Sequence, residues 1–168
     1  LHAPEGWALA SDIDHGVSTM DDIMSSVLVA GDYQILSVDV DGATVRTAIR
    51  GAGWPMSEQA FSEEIGRVVR ASHGYWGTPA EPYFVSIMPM DAPESWQSLG
   101  GTNLGDSFAF FATRNLDPAM LTGILVHEHS HPWMPLRLGG LLEGMEQPSG
   151  YWLSEGFNDF LTQRIGVH

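Results

Sequence analysis

Two histidines and a glutamate beside the first have the spacing of a metal site. The run His127-Glu128-His129-Ser130-His131 separates the first and last His by four positions, and residues at this spacing lie one above the other on a helix. Neutral imidazole is a suitable ligand for Zn²⁺. Glu128 flanks such a metal without binding it and can act as the general base toward a water molecule. His129 lies about 200° around the helix from His127, so we expect a packed or solvated side chain there.

A catalytic zinc ion needs a third protein ligand and one open coordination position. Glu155 is the candidate, because the turn-rich stretch before it allows a second helix to pack back against the first. Asp159 follows four positions later on the same helical face and can accept a hydrogen bond from the outer nitrogen of a ligand His. These residues predict one Zn²⁺ per chain. The alternative interpretation is a His-rich surface turn without a metal.

Periodicity, turn residues and caps predict the elements that must position these side chains. Two strands joined by Asp41-Gly42 form a β-hairpin. Ser57 is an N-cap, and Asp117-Pro118 is a strong helix start. The predicted elements are strands Tyr33–Val40 and Ala43–Ile49, helix Ser57–Ala71, strand Tyr83–Met88, loop Pro89–Gly105, strand Asp106–Thr113, a helix from Pro118 to about His131, loop Gly139–Gly150, and a helix over about Trp152–Ile165. Strand Asp106–Thr113 could pair with an extended substrate as an edge strand, or its Phe residues could pack in the core.

Composition limits the classes of function. The chain has 168 residues, 43% hydrophobic, a net charge of -14 and no Cys. This acidity disfavours nucleic acid and anionic membranes as partners, and the lack of Cys excludes a thiolate metal site and a disulfide framework. No apolar run is long enough for a membrane span. We expect no signal peptide, and because the sequence opens at Leu1 we expect a processed or excised piece. Cytoplasmic and periplasmic or exported locations both stay open.

The sequence resembles the glycyl aminopeptidase family of gluzincin zinc metallopeptidases. Members of that family carry His-Glu-x-x-His, a Trp two positions later, and a downstream Trp-x-Ser-Glu-Gly-Phe. The matching segments here are His127–His131, Trp133 and Trp152–Phe157, and Pro4–Trp7 also resembles a stretch that precedes the catalytic domain. The resemblance implies a thermolysin-like lobe, zinc bound by His127, His131 and Glu155, Glu128 as catalytic residue, and a peptide or protein substrate.

Three departures from the family pattern bear on specificity. Gly100-Gly101-Thr102-Asn103-Leu104 stands where the family has Gly-Gly-x-Glu-His, whose Glu holds the substrate's amino group. Gly100, Gly101 and Asn103 are therefore candidate substrate-binding residues with altered recognition of the peptide N-terminus, since an amide binds ammonium less well than a carboxylate does. Asn158, Asp159 and Phe160 replace family Thr and Tyr residues. The sequence ends at His168, so the resemblance implies that the closing helical lobe and its oxyanion-stabilising residue lie outside it.

We predict an α+β fold. A β-rich N-terminal segment over residues 1–52 leads into the N-terminal part of a thermolysin-like catalytic domain over residues 53–168, with a mainly antiparallel sheet and an active-site helix pair. The predicted function is a zinc-dependent peptidase that is aminopeptidase-like. The alternative is a truncated or degenerate zinc-binding scaffold that binds peptides or proteins without turnover. The face where a closing lobe would dock could also support a homo-oligomer.

Overall fold

The chain folds into a β-sheet covered on one face by helices. The computed structural model describes residues 2–15, 19–133 and 148–166. The strands among these residues are β1 (Ala8–Ser11), β2 (Leu28–Gly31), β3 (Tyr33–Val40), β4 (Ala43–Arg50), β5 (Tyr83–Met90), β6 (Leu99–Asn103) and β7 (Ser107–Thr113). The helices are α1 (Met20–Met24), α2 (Glu58–Trp76), α3 (Pro118–Ser130) and α4 (Pro148–Gly166), and a 3-10 turn covers Asp12–His15.

The predicted hairpin is confirmed as β3 and β4, which pair from Tyr33 with Arg50 to Val40 with Ala43. Its turn needs positive φ at two positions, and Asp41 and Gly42 supply them with φ values of 54° and 90°. Asp and Gly adopt this conformation at lower cost than other residues, so the dipeptide fixes both the turn and the register.

The main sheet has five strands in the order β3-β4-β5-β7-β6, and β1 and β2 form a separate antiparallel pair. The α+β class and the β-rich N-terminal part are confirmed. The five-stranded sheet is mixed rather than mainly antiparallel, because its three central strands β4, β5 and β7 are parallel. A parallel pair needs a long crossover, and α2 provides it between β4 and β5. The sheet also continues across the predicted division at residue 52.

The core lies between the sheet and the helices. Strand side chains of alternating positions point to this face, and α2, α3 and α4 each turn an apolar stripe toward it. The largest buried members from these elements are Ile49, Phe61, Ile65, Ile87, Phe108, Phe110, Leu121, Leu161 and Ile165. A smaller cluster on the opposite sheet face contains Ala48 and Phe84 beneath β1 and β2.

Three element predictions need correction. Helix α2 continues beyond the predicted end at Ala71 to Trp76. The segment predicted as a loop over Pro89–Gly105 contains the end of β5 and all of β6. Its Leu-Gly-Gly-Thr-Asn sequence has weak strand propensity, and pairing with β7 creates the strand. The last helix begins at Pro148 instead of Trp152. Most of the predicted loop Gly139–Gly150 lies outside the described residues. None of the described helices is long and apolar enough to cross a membrane.

Candidate metal centre

The C-terminal end of α3 carries the two His of the predicted site. Asp117 caps this helix by accepting a hydrogen bond from the backbone N–H of Ala119 at 2.9 Å. His131 follows the last helical residue but keeps helical dihedrals, with φ -54° and ψ -45°. The spacing between His127 and His131 therefore stays that of one helical turn, and their ring centroids lie 4.8 Å apart. Burial lowers the pKa of His131, which favours the neutral imidazole that a metal requires.

Helix α4 brings Glu155 to both imidazoles. Its Oε2 lies 3.1 Å from Nε2 of His127 and 3.7 Å from Nε2 of His131. Ligand atoms at about 2.0 to 2.1 Å from a tetrahedral zinc ion are separated by about 3.3 to 3.4 Å. The two observed distances bracket this separation, and the donor set of two imidazoles and a carboxylate suits zinc. The residues present therefore fit a zinc ion.

The carboxylate of Glu128 also lies close to the imidazoles of His127 and His131. Ligand atoms of His127, Glu128 and His131 all lie within 4.8 Å of one another. Two carboxylates thus compete for the position of third ligand, and they differ in origin. Glu155 comes from a separate helix and contacts both His rings, whereas Glu128 is the neighbour of His127 in sequence. Burial and the nearby Glu155 carboxylate raise the pKa of Glu128, against the opposing effect of His127.

The His127 imidazole is held from the side opposite Glu155. Oδ1 of Asp159 lies 3.1 Å from Nδ1 of His127, so the structure brings Asp159 to the position expected of a residue that orients a ligand His. One turn of α4 also contributes Asn158, whose side-chain amide donates to the backbone carbonyl of His127 at 2.7 Å. Asn158 is fully buried. These contacts fix α4 against α3 at the site itself.

Asn158 was not predicted as a site residue, although the sequence carries a signal for it. It lies three and seven positions before Leu161 and Ile165, which are buried on the core face of α4. A polar residue at a core position of an amphipathic helix requires a hydrogen-bond partner. Helical periodicity alone could therefore have marked Asn158 as a buried polar contact, but not its partner.

Strand β6 forms the edge of the sheet beside the site. Of the two alternatives for Asp106–Thr113, edge pairing with a substrate is wrong, because β7 lies between β5 and β6. Core packing is confirmed, since Phe108 and Phe110 are buried. In β6, Thr102 lies opposite Ala109 and Leu104 bonds to Ser107. Because hydrogen-bonded positions alternate in an antiparallel pair, the backbone N–H and C=O of Gly101 and Asn103 face away from β7.

Asn103 is close to the site, but its side chain is occupied within the protein. Its amide nitrogen lies 2.6 Å from the carbonyl oxygen of Glu128 and 3.3 Å from the hydroxyl of Tyr83. Its Oδ1 accepts a hydrogen bond from the N–H of Gly105 at 2.9 Å. The side chain therefore ties the end of β6 to the end of α3. Of the other two predicted residues, Gly101 lines the groove and Gly100 turns toward Phe111 on the opposite face.

An open groove joins these features. It has a volume of about 550 Å³ and is lined by described residues from β6, α3 and α4. The lining residues include Gly101, Asn103, Glu128, His131 and Glu155. Strand β6, both carboxylates and His131 therefore border one open space. His129 points away from this groove and is buried, as expected of a packed residue, and burial lowers its pKa to about 3.

The fold of the chain is similar to that of a known crystal structure. The chain matches a crystal structure of an aminopeptidase N family protein from Idiomarina loihiensis with a TM-score of 0.71 and 16% sequence identity, over 100% of this chain and 34% of that one. An M1 zinc metallopeptidase from Deinococcus radiodurans gives a TM-score of 0.46 and 18% identity, over 78% of this chain and 32% of that one. No protein-family model matches the sequence, and no curated protein does.

The first of these matches defines the class of fold. The chain has the α+β fold of a part of an aminopeptidase N family protein, and it spans about a third of the length of that protein.

Proposed function

We propose that the chain is the zinc-binding catalytic part of a peptidase. His127, His131 and Glu155 would bind one zinc ion, and Glu128 would be the general base. The observation that carries this proposal is the approach of the Glu155 carboxylate to both imidazoles, at 3.1 and 3.7 Å, beside a groove that Glu128 also lines. The sequence resemblance to the gluzincin peptidases supports the same ligands and the same base.

The chemistry is hydrolysis of a peptide bond. A zinc ion, when bound, supplies Lewis-acid activation of water and of the scissile carbonyl. Glu128 takes one proton from the attacking water as the new C–O bond forms and delivers it to the amine nitrogen as the C–N bond breaks. Glu128 lines the groove beside His131 and Glu155, so its carboxylate lies where a water molecule on the metal would be. Asp159 holds His127 through Nδ1 and so keeps its Nε2 directed toward Glu155.

Strand β6 would align the substrate. The outward N–H and C=O groups of Gly101 and Asn103 can pair with an extended peptide, as in other cases of strand addition to a sheet edge. This pairing would recognise the backbone, so selection of side chains would depend on the surfaces that border the groove. Gly101 adds no side chain that could block the approach of the peptide.

Recognition of the peptide N-terminus would differ from that of the family the sequence resembles. Asn103 replaces the family Glu. Its amide nitrogen already donates to the backbone carbonyl of Glu128 and to the hydroxyl of Tyr83. An ammonium group of the substrate would therefore meet no carboxylate at this position. We propose an aminopeptidase-like enzyme whose preference does not depend on a free amino group held at residue 103.

Hydrolysis of a peptide library by wild type, Glu128→Gln and Glu63→Gln tests the proposal. Glu63 is an exposed carboxylate on α2, so its variant controls for the change in charge. We expect Glu128→Gln to lose at least about 100-fold in kcat/KM, because general-base catalysis contributes about 10² to 10⁴, and Glu63→Gln to match wild type. Equal turnover by wild type and Glu128→Gln would refute the role of Glu128. Peptide binding without turnover in any form would favour the binding scaffold instead.

A further inference from the structure

A second cavity adjoins the groove behind the end of α3. Its volume is about 390 Å³, which is within the range of small-ligand pockets of about 300 to 1,000 Å³. It shares Gly105 and Pro132 with the groove that contains Glu128 and His131. The cavity and the groove therefore adjoin at those two residues, beside the place where a bound peptide would lie.

Four aromatic side chains line this second cavity: His73, Tyr83, His129 and Trp133. We call it the aromatic cavity. The ring of Trp133 lies 5.1 Å from that of His73, and the ring of Tyr83 lies 4.6 Å from that of His129, both edge to face. Trp76 stacks behind Trp133 at 5.7 Å and 10°. Faces of Trp and Tyr attract cations within about 6 Å of the ring centroid.

His129 supplies an unsatisfied polar group in the wall. It is only 6% exposed, and neither of its ring nitrogens has a hydrogen-bond partner among the described residues. A buried polar atom without a partner is costly, and neutral imidazole offers one donor and one acceptor. Because both nitrogens are buried within the wall, the ring contributes to the cavity as an aromatic surface and not as a hydrogen-bonding group.

The charge around the cavity is negative. Glu81 and Asp106 belong to its lining and are exposed, so they lie where the cavity meets solvent. Glu81 also acts electrostatically on His73. None of the described lining residues is Lys or Arg, and the whole chain carries a net charge of -14. An anion would be repelled here, and a cation would be attracted.

From the aromatic walls, the acidic mouth and the adjoining groove we infer that the aromatic cavity is a subsite for a basic side chain, lysine or arginine, of the substrate. This inference rests on the proposed peptidase function, because it assigns the cavity to a substrate residue near the scissile bond. A metal ion is a poorer occupant. The candidate metal ligands among the described residues, His127, His131 and the carboxylates of Glu128 and Glu155, do not line this cavity.

Binding without turnover gives the first test. Nα-acetyl-lysine methylamide and its uncharged analogue Nα-acetyl-norleucine methylamide are titrated by NMR into the Glu128→Gln protein, then into the same protein with Glu81→Gln or Glu63→Gln added. We expect the lysine ligand to bind at least about ten-fold more tightly than the norleucine ligand. Glu81→Gln should weaken lysine binding by about three- to ten-fold. Added salt should also weaken lysine binding, because it screens the charge of Glu81. Glu63→Gln should leave it unchanged.

Equal binding of the two ligands, or equal effects of Glu81→Gln and Glu63→Gln, would overturn the inference. Peptides with lysine placed at each position in turn then separate the two proposals. Turnover that shows no preference for lysine at any position would overturn the subsite and leave the peptidase function intact. Lysine binding that depends on Glu81, in a protein that hydrolyses no peptide, would support the cavity as a cation site and refute the peptidase function.

Discussion

Replacing Gly101 by Ala should destabilise the edge of the sheet beside the metal centre. A Cβ at Gly101 would lie 2.6 Å from the carbonyl oxygen of Ala109, 2.6 Å from Cε2 of Phe108 and 2.7 Å from Cβ of Phe110. The carbonyl oxygen of Ala109 and the Cβ of Phe110 are fixed by the backbone of β7, so they cannot rotate away. Strand β6 would have to move by about 0.8 Å to restore contacts of 3.4 Å.

Gly100 provides a matched control one residue away. A Cβ there would meet only the far end of the Phe111 ring, at 3.1 and 3.2 Å, and Phe111 is 43% exposed. This ring can rotate into solvent. Overpacking costs about 1 to 3 kcal/mol, and exchange of Gly for Ala regains about 0.4 to 1 kcal/mol through the unfolded chain. We expect a loss of about 1 to 2 kcal/mol for Gly101→Ala and little change or a slight gain for Gly100→Ala.

Urea denaturation followed by circular dichroism measures both variants. In thermal unfolding the Gly101→Ala protein should melt about 2 to 8 °C lower, given about 2 to 4 °C per kcal/mol for a domain of this size. Displacement of β6 should also disturb the Asn103 contact to Glu128. Equal stability of the two variants would refute the close approach of β6 to β7 and the substrate edge derived from it.

Two further predictions concern the contacts that hold the site. Asp159→Ala should weaken zinc binding by about 10- to 100-fold, because Asp159 orients His127; competition with a chelator measures this. Glu64 joins α2 to α3 through its contact with Thr122 and also accepts hydrogen bonds from Arg67 within α2. The hydrogen bond from Arg67 is the largest cause of its lowered pKa. A lowered pKa in the folded state stabilises the protein above about pH 4.3 and is lost as the pH falls, so the stability difference between wild type and Glu64→Gln should shrink below that pH.

Each of these predictions has a result that contradicts it. Wild-type zinc affinity in Asp159→Ala would mean that the contact to His127 does not orient the ring. A stability difference for Glu64→Gln that stays constant from pH 7 to pH 3 would show that the effect comes from packing and not from the carboxylate charge.

Local signals in the sequence explain which parts of the fold could be predicted. The β3–β4 hairpin follows from Asp41-Gly42, and the starts of α2 and α3 follow from Ser57 and from Asp117-Pro118, because turns and caps are decided by neighbouring residues. Strand β6 could not be predicted this way. Its two glycines carry no strand propensity, and it exists because β7 lies alongside it.

The candidate site also has one part that local sequence predicts and other parts that depend on how the helices and strands pack. The relation of His127 to His131 is a property of one helix, so spacing alone predicted it. The approach of Glu155 to those rings depends on how α4 packs, and the tie from Asn158 to the His127 carbonyl depends on the same packing. The hydrogen bonds from the Asn103 amide to the Glu128 carbonyl and the Tyr83 hydroxyl join three segments that are distant in sequence. No periodicity or motif could have revealed it.

Zinc binding by wild type, Glu155→Ala and Glu128→Gln tests the central claim most directly. The two substitutions remove the two carboxylates that compete for the same position beside His127 and His131. We predict about one zinc ion per wild-type chain, an affinity lower by more than about 100-fold in Glu155→Ala, and near wild-type affinity in Glu128→Gln. Wild-type affinity in Glu155→Ala together with loss of zinc in Glu128→Gln would contradict the assignment, because Glu128 would then be the ligand and could not be the base.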